Sequence, residues 1–178
     1  MAEAMLGLDK QTVAVAPHDP AWIAAGLNAC AKIARIGGAD LAGVEHVGGT
    51  SVPGLRAKPI LDIAAGLAPN ARIEALQQRL IEAGYIYCGD GGEEGGRLFV
   101  LESAPDVRTL HLHVVDHGGR QWRNYLAFRT ILRSDGDARE DYERLKLALA
   151  EKFAGDRKAY TAAKQDFING ILARAELG

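Results

Sequence analysis

Residues 45–67 read EHVGGTSVPGLRAKPILDIAAGL, and the reading of this stretch decides the fold. Val44–Val47 is a short strand that runs into Gly48-Gly49, a turn. A short irregular or helical passage follows, and Ile60–Leu67 is a second strand. A glycine pair opening onto Thr50 and Ser51 bares backbone N–H groups and two hydroxyls at a strand exit, a setting that suits a phosphate. Capping of the next turn would use the same donors. Asp62 is a lone carboxylate inside an apolar run, which is costly unless it is paired, hydrogen-bonded or bound to a metal. Lys58 precedes Pro59, so its backbone is extended. It stands four residues before Asp62 and reads as a phosphate contact or a salt-bridge partner.

Working outward, Thr12–Ala16 is β-like and closed by Pro17. Asp19-Pro20 is a helix start, with Asp19 as cap and Pro20 at the first helical position. Trp22, Ile23, Leu27, Ala31 and Ala34 then recur at helical spacing up to Gly37-Gly38. Downstream, Pro69-Asn70 opens a helix with Ile73, Leu76, Leu80 and Ile81, closed at Gly84. Tyr85–Cys88 is a short strand, and Gly89–Gly96 (GDGGEEGG) is a glycine- and acid-rich loop expected to be mobile. Arg97–Glu102 and Thr109–Val115 are further strands. The latter alternates, putting Leu110, Leu112 and Val114 on one face and His111 and His113 on the other. Helices are expected over about Arg120–Leu132, Ala138–Phe153 and Arg157–Ala175. Strands following one another late in the sheet part imply a mixed or antiparallel sheet. The class is therefore α+β in a single domain over 1–178, a sheet part to about 119 and a helical part beyond.

The chain has 178 residues, 48% apolar and 25% charged, with room for a proper core. No apolar run reaches the roughly 18 residues of a membrane span, and the N-terminus lacks the pattern of a secretory signal. Cys30 and Cys88 match no metal or redox spacing, and read as buried free thiols in a reducing cytoplasm. The net charge of −2 gives no reason to expect nucleic acid as a partner. Charge is unevenly spread: residues 1–119 hold 9 Lys/Arg against 14 Asp/Glu, and residues 120–178 hold 12 against 9. The helical part can lend positive charge to a site built by the sheet part, or simply present a solvated surface.

His111 and His113, beside Asp62, offer two imidazoles and a carboxylate. The three suit a zinc or transition-metal site, or acid–base and phosphate-contacting work. Partly exposed strand histidines satisfied by water are the plainer alternative. Arg97 beside the glycine loop is a phosphate contact or an ion-pair partner. On the helices, Arg129 and Arg133, Tyr142 and Lys146, and Tyr160 and Lys164 stand at i, i+4. Such aromatic–basic pairs can line a nucleotide cleft, or each Tyr can pack in the core beside a solvated base.

HVGGTSVPGLRAKPILDI resembles the core motif of the GrpB family. APHDPAW, HLHVV, Phe128-Arg129 with Leu132-Arg133, Tyr142 with Leu145-Lys146, and Tyr160 with Lys164 to Phe167 resemble its other landmarks across nearly the whole chain. The resemblance implies a nucleotidyltransferase-like fold, in which the turn after the first strand holds a nucleoside triphosphate and carboxylates hold Mg²⁺ or Mn²⁺. On this reading Asp62 is the metal and catalytic residue, with His111 and His113 completing the site. His46, Gly48, Gly49, Thr50, Ser51, Lys58, Arg97, Arg129, Lys146 and Lys164 contact the nucleotide or other phosphorylated small molecule. Three departures stand out: Gly49 where the family has Ser, Thr130 where Asp is frequent, and Ala64 where the wider superfamily has its second carboxylate. The last leaves open a non-catalytic binding module that kept the cleft.

Overall fold

The computed structural model describes residues 4–91 and 95–176. Six strands form one mixed sheet: β1 (Leu8–Asp9), β2 (Leu41–Val47), β3 (Leu61–Leu67), β4 (Ile86–Asp90), β5 (Arg97–Ala104) and β6 (Val107–Asp116). Five helices accompany it: α1 (Ala21–Gly37), α2 (Ile73–Glu82), α3 (Arg120–Ser134), α4 (Gly136–Lys152) and α5 (Arg157–Glu176). The strand order is β2-β3-β6-β5-β4, with β1 pairing the start of β6. Only β3 and β6 run parallel; the other pairs are antiparallel. The α+β class and mixed sheet expected from the sequence are therefore present.

The parallel pair matters most, because it aligns two segments about fifty residues apart. Asp62 faces His111 on one rung, and Ala64 faces His113 on the next. Period-2 alternation then sorts the sheet into two faces. Leu61, Ile63 and Leu67 join Leu110, Leu112, Val114 and Phe99 in a core closed by Trp22 and Ile33 of α1 and Leu76 and Leu80 of α2. The opposite face carries Asp62, Ala64, His111 and His113. Part of it is covered by Trp122 of α3, which packs with Val47, Ala64 and Val115. A third cluster joins Val52 and Leu55, after the glycine turn, to Phe128, Leu132, Tyr142 and Ile171 of the three C-terminal helices.

α1 starts as expected. Pro20 already has helical angles (φ −55°, ψ −26°), and the Asp19 carboxylate accepts from the Ala21 N–H at 2.9 Å. Its buried stripe is shifted from the one expected: Trp22, Gly26, Ile33 and Gly37 face inward, while Leu27 is 63% exposed. Gly26 takes an inward place because the His46 ring fills the space a Cβ would need. Ile81 of α2 is likewise exposed.

Thr12–Ala16 is not a strand. The Asp9 carbonyl and carboxylate turn the chain by accepting from Thr12 and Gln11, and the segment keeps only one bridge, Ala16 to Ala57. Gly89 and Asp90 belong to β4 rather than to a loop, and residues 92–94 of the segment expected to be mobile lie outside the described residues. Cys30 is half-buried, its thiol pushed up to about 11 by burial, but Cys88 is exposed on β4. Among the described residues no helix is long and apolar enough to cross a membrane.

Candidate functional site

A cavity of about 840 Å³ lies between the Asp62 face of the sheet and the C-terminal helices. On its sheet side, His113 Nε2 lies 3.2 Å and His111 Nδ1 3.5 Å from the same Asp62 oxygen, Oδ1. Burial pushes the Asp62 carboxyl up, but the two imidazoles outweigh this and hold it well below the ordinary carboxylate range. Burial pushes His111 down. The three side chains form a group whose donor atoms all lie within 4.8 Å of one another.

Beside this group the chain leaves β2 through Gly48, at φ 70° and ψ −173°. Only glycine is at ease there, and a Cβ would lie 2.8 Å from Asp62 Oδ2. The turn can therefore pass directly over the carboxylate. Gly48, Gly49 and Thr50 form part of the cavity wall.

The rest of the wall is cationic. Lys58, Lys146 and Lys164 line it, joined by Lys10, Arg108, Arg157 and Lys158, against Asp62 as the one carboxylate lining it among the described residues. Lys146 is buried, donates to the Arg56 carbonyl and sits 4.8 Å over the Tyr142 ring. Lys164 sits 4.5 Å from the Tyr160 ring centre, and Lys58 5.7 Å from the same ring. Burial lowers all three ammonium groups, Lys146 and Lys164 to about 7. The tyrosines combine both readings the sequence left open: Tyr142 and Tyr160 are buried, and both also line the cavity.

Buried polar atoms usually have partners. Seven buried side-chain atoms among the described residues have none, and five of them belong to cavity-lining residues: Arg108 Nε, His111 Nε2, Arg157 Nε and Nη2, and Tyr160 Oη. Arg108 and Arg157 did not stand out in the sequence. Neither belongs to a motif there, and only folding brings β6 and the start of α5 together.

Four expected site residues are not brought to the cavity. His46 pairs with Ile63 and so faces α1. Its Nε2 shares a 2.9 Å hydrogen bond with Thr50 Oγ1, and burial pushes the ring down to about 4. Glu45 is the neighbour that shares the face of Asp62. Ser51 is fully buried, and its hydroxyl donates to the Gly48 carbonyl at 2.6 Å. The Thr50 hydroxyl is thus engaged by His46 of β2 and the Ser51 hydroxyl by the turn itself. Arg97 pairs with Val114, on the opposite face, and lines a separate cavity of about 360 Å³. Arg129 donates to Glu45 Oε2 at 2.7 Å and to the His46 carbonyl at 2.8 Å, tying α3 to β2.

A glycine turn leaving one strand, a carboxylate on the next and a helical wall opposite define a nucleotidyltransferase-like α+β protein. The Cid1 poly(U) polymerase, in a crystal structure with Mg and 3′-dATP bound, has the same fold: TM-score 0.55 at 10% identity, covering 84% of this chain and 49% of that one. The chain belongs to the GrpB family, whose model, described as GrpB protein, matches residues 12–174. It is 32% identical over 173 residues to the glutamate-rich protein GrpB of Alkalihalophilus pseudofirmus, spanning 94% of this chain and 98% of that protein. The crystal structure of the conserved protein GrpB from Enterococcus faecalis superposes with a TM-score of 0.80 at 31% identity, over 91% of this chain and 96% of that one.

Proposed function

We propose that the cavity binds a nucleotide or another phosphorylated small molecule. The observation that carries this reading is the set of partnerless guanidinium nitrogens on Arg108 and Arg157, two residues of a cavity wall rich in lysine. Guanidinium nitrogens only donate, so what they lack is an acceptor. Leaving one such group buried and unpaired costs about 1–3 kcal/mol, which a phosphate oxygen would return on binding. Phosphate takes forked hydrogen bonds from Arg and point charges from Lys, and Tyr142, Tyr160 and Phe128 supply apolar surface for an organic moiety.

Nucleotidyl transfer to an acceptor is the chemistry the fold suggests. In it the acceptor attacks a phosphorus, the remaining phosphates leave, and Lys58, Arg108 and Arg157 offset the charge that develops. Asp62 would bear on the reacting end, since it lies against the turn. Ala64, fully buried in place of a second carboxylate, favours a second reading: a regulatory module that binds without turnover.

Calorimetry with ATP, UTP and inorganic triphosphate, each with Mg²⁺ or Mn²⁺, tests the binding. Saturable binding that Arg157→Met weakens supports it, and no heat at millimolar ligand overturns it. Equal binding by wild type and Asp62→Ala removes Asp62 from the role. Release of pyrophosphate across a panel of acceptors separates enzyme from module.

A further inference from the structure

The fold family implies Mg²⁺ held by carboxylates, and the residues present do not fit that ion. Mg²⁺ takes a near-octahedral shell of oxygens. Among the described residues the one candidate cluster offers a single carboxylate, and its other two donors are imidazole nitrogens. Ala64, on the same face two residues on, has no donor and is packed between Val47 and Trp122. Glu45, the next acid on that face, is engaged by Arg129.

We infer that Asp62, His111 and His113 bind one divalent first-row transition ion, of the Mn²⁺, Co²⁺ or Zn²⁺ class, and reject Mg²⁺. The argument begins with backbone register. Asp62 and His111 share a rung of the parallel β3–β6 pair, and His113 follows on the same face. The two histidines are neighbours on one face of β6, and the carboxylate reaches both from β3. Three donors bound to one ion at about 2.1 Å lie roughly 3 Å from one another. The two nitrogen-to-oxygen separations are already 3.2 and 3.5 Å, and the third donor separation is at most 4.8 Å. Closing the tripod requires the two imidazole nitrogens to draw toward one point beside Oδ1.

The protonation pattern agrees. Both imidazoles turn a nitrogen to the same Oδ1, so a cation placed among the three replaces one hydrogen bond and one longer contact with three bonds to metal. His111 Nε2 is buried without a partner. No protein group therefore fixes the opposite tautomer, and Nδ1 can present its lone pair while Nε2 keeps the proton. The remaining coordination positions open to the cavity, which all three residues line. Such open positions are the mark of a reactive rather than a structural site. Two imidazoles with one carboxylate select ions with nitrogen affinity. Lys58 and Arg157, both within electrostatic reach of Asp62, oppose any cation and keep the affinity below that of an isolated tripod.

The inference stands apart from the phosphate reading, and its test uses metal alone. Chelator-treated protein is titrated with Co²⁺ in phosphate-free buffer, following visible d–d absorption, and stoichiometry is checked by equilibrium dialysis with Mn²⁺, Zn²⁺ and Mg²⁺. One Co²⁺ per chain is expected, displaced by Zn²⁺ and not by a hundredfold excess of Mg²⁺, in line with the usual order of divalent affinities. Asp62→Asn, His111→Gln and His113→Gln each weaken binding at least tenfold while melting as folded proteins. The absence of saturable Co²⁺ binding by the wild type overturns the proposal without reference to any variant. So does Mg²⁺ displacing Co²⁺ at equal concentration, or unchanged affinity in folded His111→Gln and His113→Gln.

Discussion

Replacing Gly48 by alanine tests how the turn and the carboxylate fit together. Gly48 sits at φ 70° and ψ −173°, a region nearly closed to side chains, where a non-glycine residue costs about 1–3 kcal/mol. The new methyl would also meet Asp62, 2.8 Å from Oδ2 and 2.9 Å from Cβ. Ordinary contact needs roughly half an ångström more. Backbone on both sides is held, by β2 pairing and by the Ser51 N–H on the Gly48 carbonyl. Asp62 therefore has to give way, and its contacts with His111 and His113 lengthen. With both effects the loss is about 3 kcal/mol, and for a chain of this size that lowers the melting temperature by about 6–12 °C. Gly54→Ala is the matched control: its φ is +81°, but a Cβ there meets nothing within 4 Å. Calorimetric melts and urea titrations of both variants give the comparison. The reasoning fails if Gly48→Ala melts within about 2 °C of wild type, or if Gly54→Ala loses as much.

Three further outcomes are expected. Lys146 and Lys164 are held near 7 by burial, so a bound anion recharges them. Triphosphate binding at pH 7.5–8 should take up protons, seen as a binding enthalpy that varies with the buffer's ionisation heat, and affinity should fall as pH rises above about 7. A buffer-independent enthalpy contradicts this. Arg157→Met should weaken triphosphate about 10–100-fold, from the loss of charged hydrogen bonds worth about 1.5–3 kcal/mol. Arg129→Met, outside the cavity, should leave affinity within about twofold and lower the melting temperature by several degrees. The reverse pattern in calorimetry and melts would refute the placement of both residues. His46, lowered from 6.5 to about 4, stays neutral in the folded state while the unfolded chain protonates. Stability should therefore fall as pH drops from about 6.5 to 4, and His46→Gln should flatten that slope in urea titrations.

The floor of the site could be read from the chain because it rests on local rules. Strand alternation puts His111 and His113 on one face, and a Gly-Gly pair after a strand forces a turn. What alternation cannot give is which face is which across a strand pair. The resemblance put His46 in the site, but the register with β3 sets His46 against Ile63 and α1 and gives Glu45 the face of Asp62. Arg129 and Lys146 look alike on their helices, both i, i+4 partners on an amphipathic surface. Their fates diverge through helix orientation, which depends on packing of Phe128, Leu132 and Tyr142 around Val52 and Leu55. Arg108 and Arg157 left no local trace, since their shared environment exists only after β6 and α5 meet. Trp22, Gly26 and Ile33 show a smaller case: the true inward stripe of α1 runs through a glycine, which a search for large apolar residues passes over.

The passage after the glycine turn is held by its own turn bonds and is also gripped from the far end of the chain. Arg133 donates to the Ser51 carbonyl through two nitrogens, at 2.9 and 2.7 Å. Glu143 accepts from the Arg56 N–H at 2.9 Å, and Lys146 donates to the Arg56 carbonyl. A fragment ending near residue 119 would keep every strand and still lack the helical groups that grip residues 51–56. Sheet and helices are thus one unit of assembly, and a ribosome must finish α4 before the loop over Asp62 can take its final form.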